Sequence, residues 1–164
     1  GVKIGEDFAS ATAILATIGE EYTVGECLYH YVRRPGSTLQ SPPKDSALDI
    51  VRAFDTALQQ LSEAVQIEYH DELEWLAILH VFYYNTIRIL DSYAGNEQLI
   101  EKARNWINKR YPHWRKNPYL KTEPIARATS FVLIKNNQIL LLKNSRKIFR
   151  RMKQNIKKWL KIKR

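Results

Sequence analysis

The chain has 164 residues, 45% of them hydrophobic and 26% charged, which fits one cored globular domain and excludes wholesale disorder. A single cysteine, Cys27, excludes an intrachain disulfide framework and a cysteine-rich zinc site, and no apolar run approaches the roughly 18 residues of a membrane-spanning helix. The net charge of +9 is uneven: residues 143–164 hold 11 of the 26 Lys and Arg and no acidic group, leaving 15 basic against 17 acidic groups in residues 1–142. The body is thus near neutral, and the surplus points to a tail with an anionic partner, not to a basic domain wrapped around nucleic acid.

In chain order, the opening at Gly1, with Lys3, Glu6 and Asp7 breaking the first stretch, gives no signal peptide and reads as the continuation of a longer chain. From Glu6 to Ile18, the spacing of Phe8, Ala11, Ile14, Leu15 and Ile18 predicts an amphipathic helix that stops at Gly19. Tyr22 to Val24 and Cys27 to Val32 are rich in aromatic and β-branched residues and predict two short strands joined at Gly25-Glu26. A turn cluster follows, with Pro35, Gly36, Ser37, Pro42 and Pro43.

Beyond it the pattern is helical. Asp45 or Ser46 can cap a helix whose apolar set runs from Leu48 to Val65. A second helix is expected from about Asp71 to Tyr93 and a third from about Glu97 to Tyr111, the latter with Leu99, Ala103, Trp106 and Ile107 on one face. The stretch from Ile125 to Leu142 admits either a β-hairpin turning at Asn136-Asn137 or a pair of helices, and the lack of strict alternation favours helices. In the tail, Ile148, Phe149, Met152, Ile156, Trp159 and Leu160 share a helical face, with basic residues covering the rest.

Two constellations carry chemistry. In Gly5-Glu6-Asp7, two carboxylates open a helix beside unpaired backbone amides and the positive end of the dipole. A carboxylate held there is suited to taking a proton from an attacking hydroxyl, although an acidic first turn is also common on helices without any such role. In the run from Leu28 to Ser37, strand alternation puts Leu28, His30 and Val32 on one face and Tyr29, Tyr31 and Arg33 on the other. Arg34 then meets a Pro-Gly turn, where a guanidinium can reach a phosphate bidentately; a solvated arginine pair ending an edge strand is the plainer alternative. The four histidines show no metal-ligand spacing, and only His30 lies beside these motifs.

Taken together, Gly5-Glu6-Asp7-Phe8 opening a helix and the Leu28-Tyr29-His30-Tyr31 run ending in Arg34-Pro35-Gly36-Ser37 resemble the family 2 glycosyltransferases. The likeness is to the bacterial branch that builds capsular, exopolysaccharide and cell-wall glycans. The segment from Trp106 through Trp114 to Asn117-Pro118-Tyr119-Leu120, with the basic tail, is similar to that branch's C-terminal region. The resemblance implies the C-terminal part of an α/β GT-A fold: residues 1–43 closing the catalytic domain on its acceptor side, 44–142 a helical region, and 143–164 an amphipathic tail helix. The piece itself is expected to be mainly α with a short two-stranded β element near its start.

The resemblance further implies an inverting sugar transfer from a nucleotide-sugar donor to a glycan or lipid-linked acceptor. Asp7 would be the catalytic base, Glu6 its neighbour, and Arg34, His30 and Tyr31 would contact substrate. His30 and Val32 depart from the commoner Tyr-Tyr-Tyr-Arg-x-Arg-Pro pattern, and Arg33 points to the wrong face to replace the missing arginine. No Asp-x-Asp and no Gly-rich phosphate loop occurs, so a divalent metal (Mn or Mg) and the donor nucleotide are expected to be held mainly outside these residues, with little activity from the piece alone.

The tail, 144–164, suits an anionic membrane surface, which would place the protein peripherally on the inner face of the cell membrane. Its apolar stripe argues against nucleic acid, and a plain solvated helix end remains the simplest alternative. Apolar surface left along the first helix leaves room for a homo-oligomer. A non-enzymatic helical adaptor binding membrane and a protein partner is the competing reading, and it leaves the two motifs as coincidence.

Overall fold

Gly5 starts the first helix. Its backbone sits at φ 98, the left-handed region that glycine enters without a Cβ penalty, and α1 follows over Glu6–Leu15. A Cβ at Gly5 would lie 3.1 Å from Ile50 Cδ1 and 3.2 Å from Ala53 Cβ, so the glycine also permits close approach to the next long helix. The computed structural model describes residues 5–18, 20–23, 25–26, 44–93, 96–148 and 152. It divides the chain into two compact units, Gly1–Asn117 and Pro118–Arg164.

In the first unit a 3-10 turn, Lys44–Leu48, leads into α2, Asp49–Gln60. Leu48 takes the N-cap position, the Ser46 hydroxyl lies 2.8 Å from the Tyr93 hydroxyl, and Asp49 supplies an acidic first turn. The helix expected to continue to Val65 breaks at Leu61, whose backbone is extended. Ser62 then caps a short α3, Glu63–Glu68, and Gln66 Nε2 donates to the Leu58 and Leu61 carbonyls at the break.

The next rod is built from α4 (His70–Leu76), a π-helical stretch (Ala77–Tyr84) and α5 (Asn85–Ser92), with helical backbone at each junction. It is the spine of this unit: Ile78, Val81, Phe82 and Ile89 are all at most 1% exposed. Asn96 caps α6, Glu97–Arg110, by accepting from the Gln98 amide, while Lys109 and Arg110 complement the negative end of the helix. Ala103 and Ile107, on the predicted face, are fully buried. Aromatic contacts join the pieces: Phe54 stacks on Phe8 at 5.6 Å and meets Trp106 edge-on at 5.5 Å, and Phe82 meets Trp114 at 5.2 Å.

The second unit begins with α7 (Tyr119–Thr122) and a 3-10 turn (Pro124–Arg127), followed by α8 (Thr129–Lys135) and a further helical segment over 139–148. Asn136-Asn137 is therefore a helix end, not a hairpin turn. Asn137 takes φ 60, its amide donates to the Ile134 carbonyl, and the Gln138 amide reaches back to Leu133 at 2.7 Å, the paired bonds of a Schellman motif.

The expected fold class needs correction. Among the described residues there is no strand: 20–23 are irregular and 25–26 form a bend. Tyr22 is 86% exposed and its hydroxyl donates to Glu20, and among the described residues no strand pairs with this stretch. A lone pair of strands without a third strand or a covering helix is marginal in water, whatever its β propensity. The remainder of the expected two-stranded element, Val24 and Cys27 to Val32, lies outside the described residues. What is described is helical, and an α/β arrangement of the GT-A type is not supported.

The first helix also differs from its predicted stripe. Ile14 and Leu15 are each 56% exposed, whereas Ala9 is buried against Ala53 and Ala57 of α2 and Thr12 is also buried. Only Phe8 of the expected set is anchored in aromatic packing, against Phe54 and His80.

Candidate functional site

The helix mouth at Gly5 positions Asp7 on the first turn of α1, and its side chain is exposed. The mouth is fixed from below, because Gly5 sits on Ile50 and Ala53 and the neighbouring Phe8 ring lies 4.7 Å from the His80 ring. Burial lowers the His80 pKa from its ordinary value, so the imidazole under Phe8 is neutral at pH 7. The arrangement can offer a carboxylate base to a molecule arriving from solvent, on a helix whose other side is held by α2.

The remaining predicted site residues are not brought into view. His30, Tyr31 and Arg34 lie outside the described residues, and so does the side chain of Glu6. The described residues hold no group of three or more His, Cys, Asp or Glu able to bind a metal ion.

A second location emerges that the sequence did not single out. Residues of α3 (Glu63, Gln66, Ile67), of α4 (His70, Leu73) and of the end of α6 (Arg110, Tyr111) enclose a cleft of about 420 Å³. Across Gln66 and Arg110 lies another of about 400 Å³, lined also by Asp55, Leu58 and Gln59 of α2. The Arg110 guanidinium donates to Gln66 Oε1 at 3.1 Å and so forms the sill between them. Asp55 is held by the Trp106 indole, whose Nε1 donates to it at 3.1 Å, and His70 meets Tyr111 edge-on at 5.8 Å. Burial raises the Tyr111 phenol from its ordinary value, with Arg110 opposing, so the ring lines the cleft as a neutral group. The only signal in the sequence was the Arg110-Tyr111-Pro112 helix end, and its partners lie some 45 residues away in the chain.

Two polar clusters are structural. Arg88 donates to the Ser46 and Ala47 carbonyls and to Asn85 Oδ1, tying the 3-10 turn to α5. Asn117 donates to the Asp71 carbonyl and to the buried Glu74 carboxylate at 2.8 Å, closing the first unit at its last residue.

Comparison with protein-family models, with curated proteins and with solved structures finds no match to this chain.

Proposed function

We propose that this chain supplies the acceptor side of an inverting glycosyltransferase that extends a cell-surface glycan. The observation that carries the reading is the Gly5-Glu6-Asp7 helix mouth: a left-handed glycine seated on α2 puts an exposed carboxylate at the start of α1. The resemblance of this motif and of the Arg34-Pro35-Gly36-Ser37 run to family 2 transferases supports it.

In the proposed reaction the Asp7 carboxylate takes the proton of an acceptor hydroxyl as that oxygen bonds to the anomeric carbon of the donor sugar. The anomeric C–O bond to the nucleoside diphosphate breaks on the opposite side, the diphosphate leaves with the electron pair, and configuration inverts. Arg34, with His30 and Tyr31, contacts donor diphosphate or acceptor. Nucleotide and divalent metal are bound by a portion beyond these 164 residues, since the sequence holds neither an Asp-x-Asp nor a phosphate loop.

The tail brings the site to an anionic membrane carrying the acceptor. Leu141 and Ile148 share a face of the helical segment over 139–148 and are each more than half exposed, apolar groups on a segment that also carries Lys143, Arg146 and Lys147. No helix among the described residues is long and apolar enough to cross a membrane.

Deletion of the coding region in the producing cell is expected to abolish or shorten a surface polysaccharide and to remove the matching incorporation of labelled sugar by isolated membranes. Unchanged polysaccharide and unchanged incorporation would overturn the proposal.

A further inference from the structure

We infer that the two-lobed cleft between α2, α3, α4 and the end of α6 is a saccharide-binding site. A pyranose ring has an apolar C–H face and a rim of hydroxyls that both donate and accept. The cleft matches this division. The first lobe offers Ile67, Leu73 and the Tyr111 ring as an apolar wall, with His70 and Glu63 at its margin. The second is polar, lined by Asp55, Gln59 and the shared pair Gln66 and Arg110.

Hydrogen-bonding capacity remains after the internal bonds are counted. Gln66 uses both carbonyl-directed bonds of Nε2, but its Oε1 takes only the Arg110 bond, and Arg110 has further donors. Asp55 accepts one indole N–H through both oxygens and keeps lone pairs for hydroxyls. Charge favours a polyol over an anion, because the lining of the two lobes holds two carboxylates, Asp55 and Glu63, and one guanidinium, Arg110. A phosphate placed there would meet more repulsion than attraction. The volume of each lobe is within the range of small-ligand sites.

As the place where an acceptor glycan is gripped, the cleft rests on the transferase reading; as a saccharide site it stands on its lining alone. The test is titration of the full chain with tetrasaccharides of glucose, N-acetylglucosamine, galactose and mannose, read on the indole N–H signals by NMR. Trp106 is the reporter, through its bond to Asp55.

A saturable shift of the Trp106 signal with one of these sugars is expected, weakened about tenfold by Arg110→Ala through loss of charge-assisted bonds. Gln59→Ala, on an exposed helix position where alanine is favourable, provides a variant whose folding is not at risk and is expected to weaken the same shift severalfold. Asp7→Asn should leave it unchanged, which separates this site from the catalytic proposal. The inference is overturned if none of the sugars moves Trp106 at about 20 mM, a concentration well above the millimolar range of weak sites. It is also overturned if the shift survives both cleft variants, or if inorganic phosphate produces it equally well.

Discussion

The first helix and the helical body it rests on belong to one unit but are built to different standards. In the body, Phe54, Ile78, Phe82, Ile107 and Trp114 are essentially sealed from solvent, Ser62 and Asn96 cap α3 and α6, and Gln66 donates to carbonyls at the end of α2. Helix α1 is attached through Phe8, Ala9 and Thr12, while Ile14 and Leu15 stay more than half exposed. The proposed catalytic carboxylate sits on the thinly packed element, and the rigid one supplies its footing. The contrast teaches that stability and chemistry are divided between neighbouring helices, so they should respond to different substitutions.

The largest expected effect is on the body. Phe54→Ala removes a fully buried ring that touches both Phe8 and Trp106, and should cost about 3–5 kcal/mol in urea unfolding. Loss of under about 1 kcal/mol would break the comparison by showing that the body is loosely packed there. Gly5→Ala forces a side chain into the left-handed region and against Ile50 and Ala53. A cost of about 1–3 kcal/mol is expected, with faster amide exchange confined to α1. Exchange that accelerates equally through α5 and α6 would mean the two regions open together.

A smaller effect depends on pH. His80 lies beneath Phe8, and burial lowers its pKa below the ordinary value of 6.5. The unfolded chain therefore binds more protons in the window just below 6.5. The neutral ring's contribution is complete above that value and is lost as pH falls toward the folded pKa. Urea midpoints at pH 7.5 and pH 5 should differ less in His80→Phe than in the native chain, and an equal difference would contradict the assignment. The smallest effect is for Ile14→Ser, expected within about 0.5 kcal/mol because the side chain is 56% exposed.

Much of the helical body was legible because its apolar residues recur at helical spacing. The limits of α6, expected from about Glu97 to Tyr111, were anticipated almost to the residue, and the structure adds the Asn96 cap. The break at Leu61 was not, since the apolar series runs on unbroken to Val65 and only the cap at Ser62 interrupts it. Helix α1 was found, but its buried face was misjudged: large apolar residues set the expected stripe, whereas Gly5 and Ala9 make the close contact because they are small. The strands predicted from Tyr22 onward rested on β propensity, which has no force without a partner strand, and Tyr22 stands in solvent.

The candidate site was half legible. Carboxylates at a helix start are a local pattern, and the helix start itself was found: Asp7 lies exposed on the first turn of α1. The double cleft was not, because Gln66 and Arg110 are separated by 44 positions and meet only through the packing of α3 against the end of α6. No spacing rule within a single helix records such a meeting.

The most direct measurement compares sugar incorporation by membranes of cells carrying Asp7→Asn with that of the native cells, at equal protein level. The account predicts a fall of about 10²- to 10⁴-fold, the usual contribution of a general base, with the exposed position leaving folding intact. Incorporation at the native rate would contradict it.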